Sequence, residues 1–410
     1  MTESAYQIFV GIDWGSQTHQ VVVLDAARRL VDERVVAHDG LALQTLARWV
    51  AGLAPPGTVA VAIEVPHGAV VDTLLEHGVP VYALNPRQMD RFRDRFTAAG
   101  AKDDRRDAQV LAAALLTDQP AFRRLQPDDP VVVQLRELTR MAAEVQEDIR
   151  RLANRLREQL LRFYPQALAL CPAADEPWFW TLLALLPTPA AAARRRRGTV
   201  ATLLREHRIR RVTADEVLTV LRRPPLTVAP GTIDAATAHI ALLLPRLDLA
   251  AAQRRACAAQ LDTLLATLAA LGEQQGHRDV TILRSFPGVG RTVAATMLAE
   301  ASQLLATRDY HRLRAYGGAA PVTRQSGTRR SVHMRYACNQ RLRNALYYWA
   351  FIAARHDPVT RQHYQLLRAR GQSQGRALRG VVDRLLLILI AMLRTQTLYD
   401  AGRRQPQAVA

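Results

Sequence analysis

The chain opens with short apolar runs separated by polar or charged turns: Ile8-Phe9-Val10-Gly11-Ile12, then Gln20 to Leu24, then about Val31 to Ala37. Runs of this length bounded by turn residues predict three strands. From Gly40 to Leu53 the apolar positions recur with a helical period. Val59 to Val65 reads as a buried strand, Val70 to His77 as a helix, and Val79 to Leu84 as another strand ending at Asn85-Pro86. Helical pattern then continues through Leu116. Three leading strands followed by alternating helix and strand predict an α/β domain over residues 1–125 with a ribonuclease H-like sheet.

Further along, the period changes. Leu135, Leu138, Ala142, Val145, Ile149, Leu152, Leu156 and Phe163 follow in alternating steps of three and four, with Gln159 the one polar interruption. This is a coiled-coil seam, and ~33 residues rising 1.5 Å each make a rod of about 50 Å. A second seam runs through Ala236, Ile240, Leu243, Leu247 and Ala250, then Cys257, Leu261, Leu264, Leu268 and Leu271. Pro245 and Arg254 interrupt it, which predicts a kink or two helices. The seams can pair within one chain or across two. Between them, residues 171–230 are Pro-rich and carry Arg194-Arg195-Arg196-Arg197, either a solvated loop or a flexible, phosphate-seeking one. These features define a middle region, 126–276, followed by a mainly helical C-terminal domain, 277–395, and a disordered tail, 396–410.

Hydrophobic content of 49% and charged content of 22% over 410 residues suit a globular protein of two or three domains, not a disordered one. Cys171, Cys257 and Cys338 form no ligand or redox pair, which fits a reducing cytoplasm. The polar start predicts no signal peptide, and the apolar run Leu385 to Leu393 is too short to span a bilayer. Charge changes the picture most. Residues 1–120 hold 11 basic and 15 acidic side chains, residues 121–276 hold 22 and 16, and residues 277–395 hold 20 and 5. An acidic front joined to a basic back predicts a polyphosphate partner.

The candidate chemistry sits at both ends. Asp13 and Glu64 each end a predicted strand, where open α/β sheets build their sites. Asp104 and Asp107 are three apart at a helix start, hence on one face, whereas Asp103 points about 100° away. Four such carboxylates are hard oxygen ligands suited to Mg²⁺, and two ions about 4 Å apart can clamp an in-line displacement at phosphorus. Lys102, the only lysine, stands two residues before Asp104. Gly11-Ile12-Asp13-Trp14-Gly15-Ser16 also resembles the phosphate turn of sugar kinases, but no second phosphate loop or adenosine loop follows.

In the basic half, Phe286-Pro287-Gly288-Val289-Gly290 precedes a helical run, the pattern of a helix-hairpin-helix that grips a nucleic-acid backbone. Ser326 lies in Gln325-Ser326-Gly327 with Arg324, Arg329 and Arg330 around it. It is either a turn residue or a nucleophile placed against phosphate. Tyr347, Tyr348 and Trp349 follow Asn339 to Arg343 on a helix and read as core.

Together, Asp13, Glu64, Lys102-Asp103-Asp104-Arg105-Arg106-Asp107-Ala108, Pro287 to Gly290, Gly317 to Pro321, Ser326-Gly327 and Asn339 to Arg343 resemble a known family. It is that of the DEDD (RuvC-like) transposases of the insertion-sequence family IS-one-ten, the bridge-RNA-guided serine recombinases. The resemblance extends from about residue 6 to 395. It implies a RuvC-like, ribonuclease H-like catalytic domain at 1–125, a coiled-coil middle at 126–276, and a transposase domain at 277–395. Asp13, Glu64, Asp104 and Asp107 would hold Mg²⁺, two ions per site, with Mn²⁺ an alternative. Ser326 would attack the phosphodiester and form a phosphoserine link. Lys102, Arg105, Gly288, Gly290, Arg324, Arg329, Arg330 and Arg343 would contact nucleic acid. The partners implied are donor and target DNA, an element-encoded guide (bridge) RNA, and further copies in a homodimer or homotetramer. No membrane is involved, and the setting is a bacterial or archaeal cytoplasm, at the nucleoid when acting. Thr328 stands where many relatives carry a basic residue, and Cys338 where Gly is usual. A RuvC-like endonuclease using water, or a non-catalytic nucleic-acid-binding protein, are the competing readings.

Overall fold

The computed structural model describes residues 6–84, 86–93, 103–127, 129–274, 278–327, 329–400 and 402. Lys102, Thr328 and most of the expected tail lie outside them. The chain divides into two compact units, one ending at Asp128 and one beginning at Asp129.

The first unit contains β1 (Ile8–Asp13), β2 (Thr18–Asp25), β3 (Leu30–Ala37), α1 (Gly40–Ala51), β4 (Val59–Ile63), α2 (Ala69–Glu76), β5 (Val81–Ala83), α3 (Pro86–Arg93), α4 (Asp104–Asp118) and β6 (Arg123–Arg124). Its sheet runs β3-β2-β1-β4-β5-β6. The first three strands are antiparallel hairpin neighbours, β4 and β5 join β1 in parallel, and β6 pairs antiparallel with β5. Because strand side chains alternate between faces, Val10, Ile12, Val61 and Ile63 pack with Leu43 and Leu46 of α1. Phe9, Ala60 and Ala62 pack on the opposite face against Val110 and Leu111 of α4. β4 is buried throughout, which explains its unbroken apolar run. Gly11 faces α4, and a Cβ there would stand 1.9 Å from the Ala108 carbonyl oxygen. Glycine is therefore what lets α4 rest directly on β1.

The second unit contains α5 (Pro130–Phe163), α6 (Pro177–Leu185), α7 (Pro189–Arg194), α8 (Arg197–Glu206), α9 (Ala214–Leu221), α10 (Thr232–Gln274), α11 (Asp279–Ser285), α12 (Arg291–Ala306), α13 (Tyr310–Tyr316), β7 (Val322–Ser326), β8 (Arg329–His333), α14 (Gln340–His356), α15 (Pro358–Ala369) and α16 (Gln374–Thr395). The long helices α5 and α10 pack along each other within the chain. Their apolar stripes serve two cores. Leu135, Leu138, Cys257 and Leu261 join Phe286, Trp349 and Leu386, whereas Ile149, Leu156, Ile240 and Leu247 join Trp178, Phe179 and Trp180. Gln159 sits buried in the stripe and accepts a hydrogen bond from Arg162 at 2.8 Å.

Two expectations are corrected here. α10 is one helix through Pro245 and Arg254. Proline forfeits one backbone hydrogen bond, but Leu243, Leu244 and Leu247 are buried around it, and Arg254 donates to Gln146 of α5 at 3.0 Å. The arginine run is only partly a loop: Arg194 ends α7, Arg197 opens α8, and Arg195 and Arg196 alone lie between. The surrounding insert folds into α6–α9 around Trp178, Phe179, Trp180, Leu203 and Val217, and Arg197 pairs with Asp215 at 2.8 Å. Prolines 177 and 189 open helices rather than break them.

Among the described helices, α10 alone has the length and apolarity to cross a bilayer, and its apolar positions are those that build the two cores.

Candidate functional site

The parallel register sets Ile12 beside Ile63, so Asp13 and Glu64 follow side by side at the carboxyl ends of neighbouring strands. By the same alternation that turns Phe9 and Gly11 to α4, Asp13 faces α4 as well. Asp103 caps that helix, accepting from the Arg105 amide at 3.3 Å, and Asp104 and Asp107 occupy its first turns. With Gly11 bringing α4 onto β1, the two sets of acids come together at the carboxyl end of the two central strands.

The electrostatics record this convergence. Asp13 is raised from 3.8 to about 6, first by burial, then by the charges of Asp107, Asp104 and Glu64, with Arg93 opposing. Asp107 is 3% exposed, deeper than an unpaired carboxylate tolerates. Its counter-charge is Arg93, at the end of α3, which donates through Nε to Oδ1 at 2.7 Å and through Nη2 to Oδ2 at 2.6 Å. This bidentate pairing, with Glu64 and Asp90 nearby, holds the Arg93 guanidinium above its ordinary value. Sequence reading missed Arg93, because nothing in its spacing separates it from the many other arginines.

The donor set suits a hard divalent cation: four carboxylates, one of them strained by its like-charged neighbours. They are not gathered into a finished cage, since no three of them bring ligand oxygens within 4.8 Å of one another. Among the described residues only Cys171, Asp175 and Glu176 do so. That trio is occupied otherwise: Glu176 accepts from Trp178 Nε1 at 2.9 Å and pairs with Arg211 at 2.6 Å, and burial pushes the Cys171 thiol up. Beside the acids, buried His19 meets His38 at 2.8 Å, and Trp14 stands half exposed next to both rings.

Ser326 stands in a different setting. It is the last residue of β7, not a loop residue, and pairs directly with Arg329 of β8. Side chains on paired and alternate positions share a face, so Arg329 and Arg324 flank Ser326 while Arg330 lies on the other side with Gln325. The tip turns through Gly327 at φ +57.

The remaining expected contacts separate into free and engaged groups. Arg105 is tied to Glu33 at 2.6 Å. Gly288, at φ +85, presses against α14, where a Cβ would meet the Ala353 amide nitrogen at 2.9 Å and the Trp349 carbonyl oxygen at 3.0 Å. Gly290 has open space around it and begins α12 without a side-chain cap. Asn339 caps α14 by accepting from the Leu342 amide at 2.9 Å, so Cys338 leaves that helix start intact. Of the three aromatics read as core, only Trp349 is buried; Tyr347 and Tyr348 are 37% and 61% exposed. Their helix turns one face to the core and another to solvent, and the two tyrosines fall on the second.

Comparison with known proteins matches both ends of the chain. A family described as Transposase covers residues 10–165, and one described as Transposase IS116/IS110/IS902 family covers residues 280–365. A Streptomyces coelicolor protein named for the transposase of the IS117 mini-circle is 33% identical over 98% of this chain and 98% of its own length. The IS110 insertion-element protein of the same organism, named as a 43.6 kDa protein, is 29% identical over 98% of this chain and 97% of its own. A Sinorhizobium fredii protein named as a transposase, y4uE, is 49% identical over 50% of this chain and 58% of its own. The agreement spans both units, and the chain belongs to the IS116/IS110/IS902 family of transposases.

Proposed function

We propose that this transposase is a Mg²⁺-dependent, RNA-guided DNA recombinase that moves an insertion sequence through a phosphoserine intermediate. The reading rests above all on Asp13 and Glu64, which follow the paired residues Ile12 and Ile63, facing the acids of α4 across the contact that Gly11 permits. On this reading the first unit is ribonuclease H-like and RuvC-like, α5 and α10 form a coiled coil, and the α11–α12 turn is a helix-hairpin-helix. Residues 1–125, 126–276 and 277–395 are then functional segments.

Asp13, Glu64, Asp104 and Asp107 would hold the metal, which would supply the positive charge that Arg93 gives Asp107 in its absence. A bound Mg²⁺ would stabilise charge on the phosphate and lower the pKa of an attacking hydroxyl. Ser326 Oγ bonds to phosphorus as one deoxyribose oxygen departs and takes up a proton. The phosphodiester energy is kept in the Ser326–phosphate bond for rejoining. Arg324 and Arg329 on the same face would neutralise the phosphate. Base pairing by a guide RNA would supply sequence choice, leaving the protein to grip backbones through its basic C-terminal residues. Assembly of several copies in a prokaryotic cytoplasm completes the proposal.

The test is Asp104→Ala, assayed with Mg²⁺ for strand cleavage and separately for nucleic-acid retention. Cleavage should fall at least a hundredfold with binding retained. Cleavage at the wild-type rate would remove the carboxylate assignment.

A further inference from the structure

A cavity of about 420 Å³ opens in the second unit between α14, α16 and the turn after α13, and neither Ser326 nor the first turn of α12 lines it. Its volume is in the range of small-ligand pockets, roughly 300–1,000 Å³. Gly318 and Ala319 line one side, Arg343, Tyr347 and Tyr348 of α14 another, and Arg379 of α16 a third. The glycine is needed there: Gly318 is at φ +73, and a Cβ on it would stand 2.9 Å from the Cys338 sulfur.

Two properties specify an occupant. The first is charge without counter-charge. Among the described residues neither Arg343 nor Arg379 makes an ion pair, and Arg379 finds only the Met334 sulfur, at 3.3 Å. The acids on the neighbouring elements are engaged elsewhere: Asp383 accepts from Arg314 and Tyr310, Asp357 caps α15, and Glu300 accepts from Asn339. Burial, together with Arg376 and Arg343, pushes Arg379 below its ordinary value, so the cluster repels itself until an anion enters. The second property is a positioned aromatic surface. Tyr347 stacks on Phe351 with rings 6° from parallel, and Tyr348 meets Tyr347 edge-on at 82°. Stacked and edge-held rings are fixed in orientation, which suits a planar ligand more than a flexible one.

We infer that this cavity receives a single unstacked nucleotide of a nucleic-acid strand, its base against Tyr348 and Tyr347 and its phosphate on Arg343 and Arg379. A duplex cannot present a base to a concave site without extruding it, so the cavity discriminates unpaired from paired strands. Strand exchange must produce unpaired nucleotides, and to that extent the inference rests on the recombinase reading. Displaced DNA and an unpaired stretch of RNA share the chemistry that the cavity reads.

The test is equilibrium binding of the full chain, without Mg²⁺, to short fluorescein-labelled strands of DNA or RNA, to the same DNA as duplex, and to the DNA strand lacking its bases. Arg379→Gln and Tyr348→Ala are compared with wild type after matching their melting curves. Arg379→Gln should weaken single-strand binding roughly tenfold, and Tyr348→Ala by a similar factor. Both should leave duplex binding within about twofold, and Tyr348→Ala should lose its effect on the baseless strand. Tighter DNA binding assigns the cavity to a displaced DNA strand, and tighter RNA binding to RNA; equal binding supports the shared chemistry. Equal losses on duplex and single strand, or indifference to the bases, would overturn the inference. Ser326→Ala protein should give the same results, so failure of the cleavage mechanism leaves this test standing.

Discussion

Asp107 is 3% exposed and held by two hydrogen bonds, whereas Ser326 ends a strand whose hairpin buries none of its ten strand residues. The acids are placed by the core. Strand register sets Asp13 beside Glu64, and a glycine contact sets α4 against them. The serine is placed by little more than a ladder of backbone hydrogen bonds, and an isolated two-stranded hairpin is marginal in water. Folding alone thus prepares the proposed metal end of the chemistry. The proposed nucleophile end has no such core to hold it.

The same substitution in both regions separates them most sharply. Gly11→Ala drives a methyl group into the Ala108 carbonyl oxygen at 1.9 Å, and should cost about 3 kcal/mol of the first unit's stability. Gly327→Ala, at φ +57 with open space around it, should cost about 1 kcal/mol locally and leave global unfolding unchanged. Denaturant titration of both variants reads the difference. Comparable losses would mean that the hairpin is as embedded as the sheet.

Arg93→Gln sharpens the metal end. It leaves Asp107 buried without its counter-charge, which should destabilise the metal-free protein by about 2 kcal/mol after allowing for Arg93's partial exposure. Mg²⁺ should then raise the melting temperature of the variant more than that of wild type, because the cation takes over the vacated role. An equal metal response in both proteins would show that Arg93 and the cation do not compete.

Asp13→Asn is a smaller effect of opposite sign. A carboxyl raised from 3.8 to about 6 binds its proton more tightly folded than unfolded. Its contribution to stability is complete below the unfolded value and is lost as pH rises through about 6. Removing the charge should therefore stabilise the metal-free protein by about 1 kcal/mol at pH 8, the burial being partial, and by nothing at pH 3. Thermal melts at the two values check it. A destabilised variant at pH 8 would contradict the like-charge crowding, and cleavage should be lost in either case.

Much of the first unit was legible because its strands are short, apolar and bounded by turn residues, and because Asp13 and Glu64 end two of them. Helix spacing likewise located α5 and the face shared by Asp104 and Asp107. Tertiary compensation was not legible. Pro245 lies inside a helix because packing outweighs one lost hydrogen bond, and Arg194 and Arg197 belong to helices although their run read as a loop. Arg93 was invisible because its role comes from a partner fourteen residues away in sequence. Ser326's chemistry remained open for a related reason: strand pairing, not local sequence, decides which arginines share its face.

The most direct measurement is a denaturing gel after incubation with DNA, guide RNA and Mg²⁺, comparing wild type with Ser326→Ala. Wild type should leave a protein–DNA adduct that resists denaturation, and the variant none, while still binding nucleic acid and metal. Since Ser326 is exposed on a hairpin, losing its hydroxyl should change stability by no more than about 0.5 kcal/mol, so absence of the adduct would not reflect unfolding. An adduct that persists in Ser326→Ala would place the covalent bond on another side chain, and nicked DNA from wild type with no adduct would identify water as the nucleophile; either result contradicts the phosphoserine mechanism.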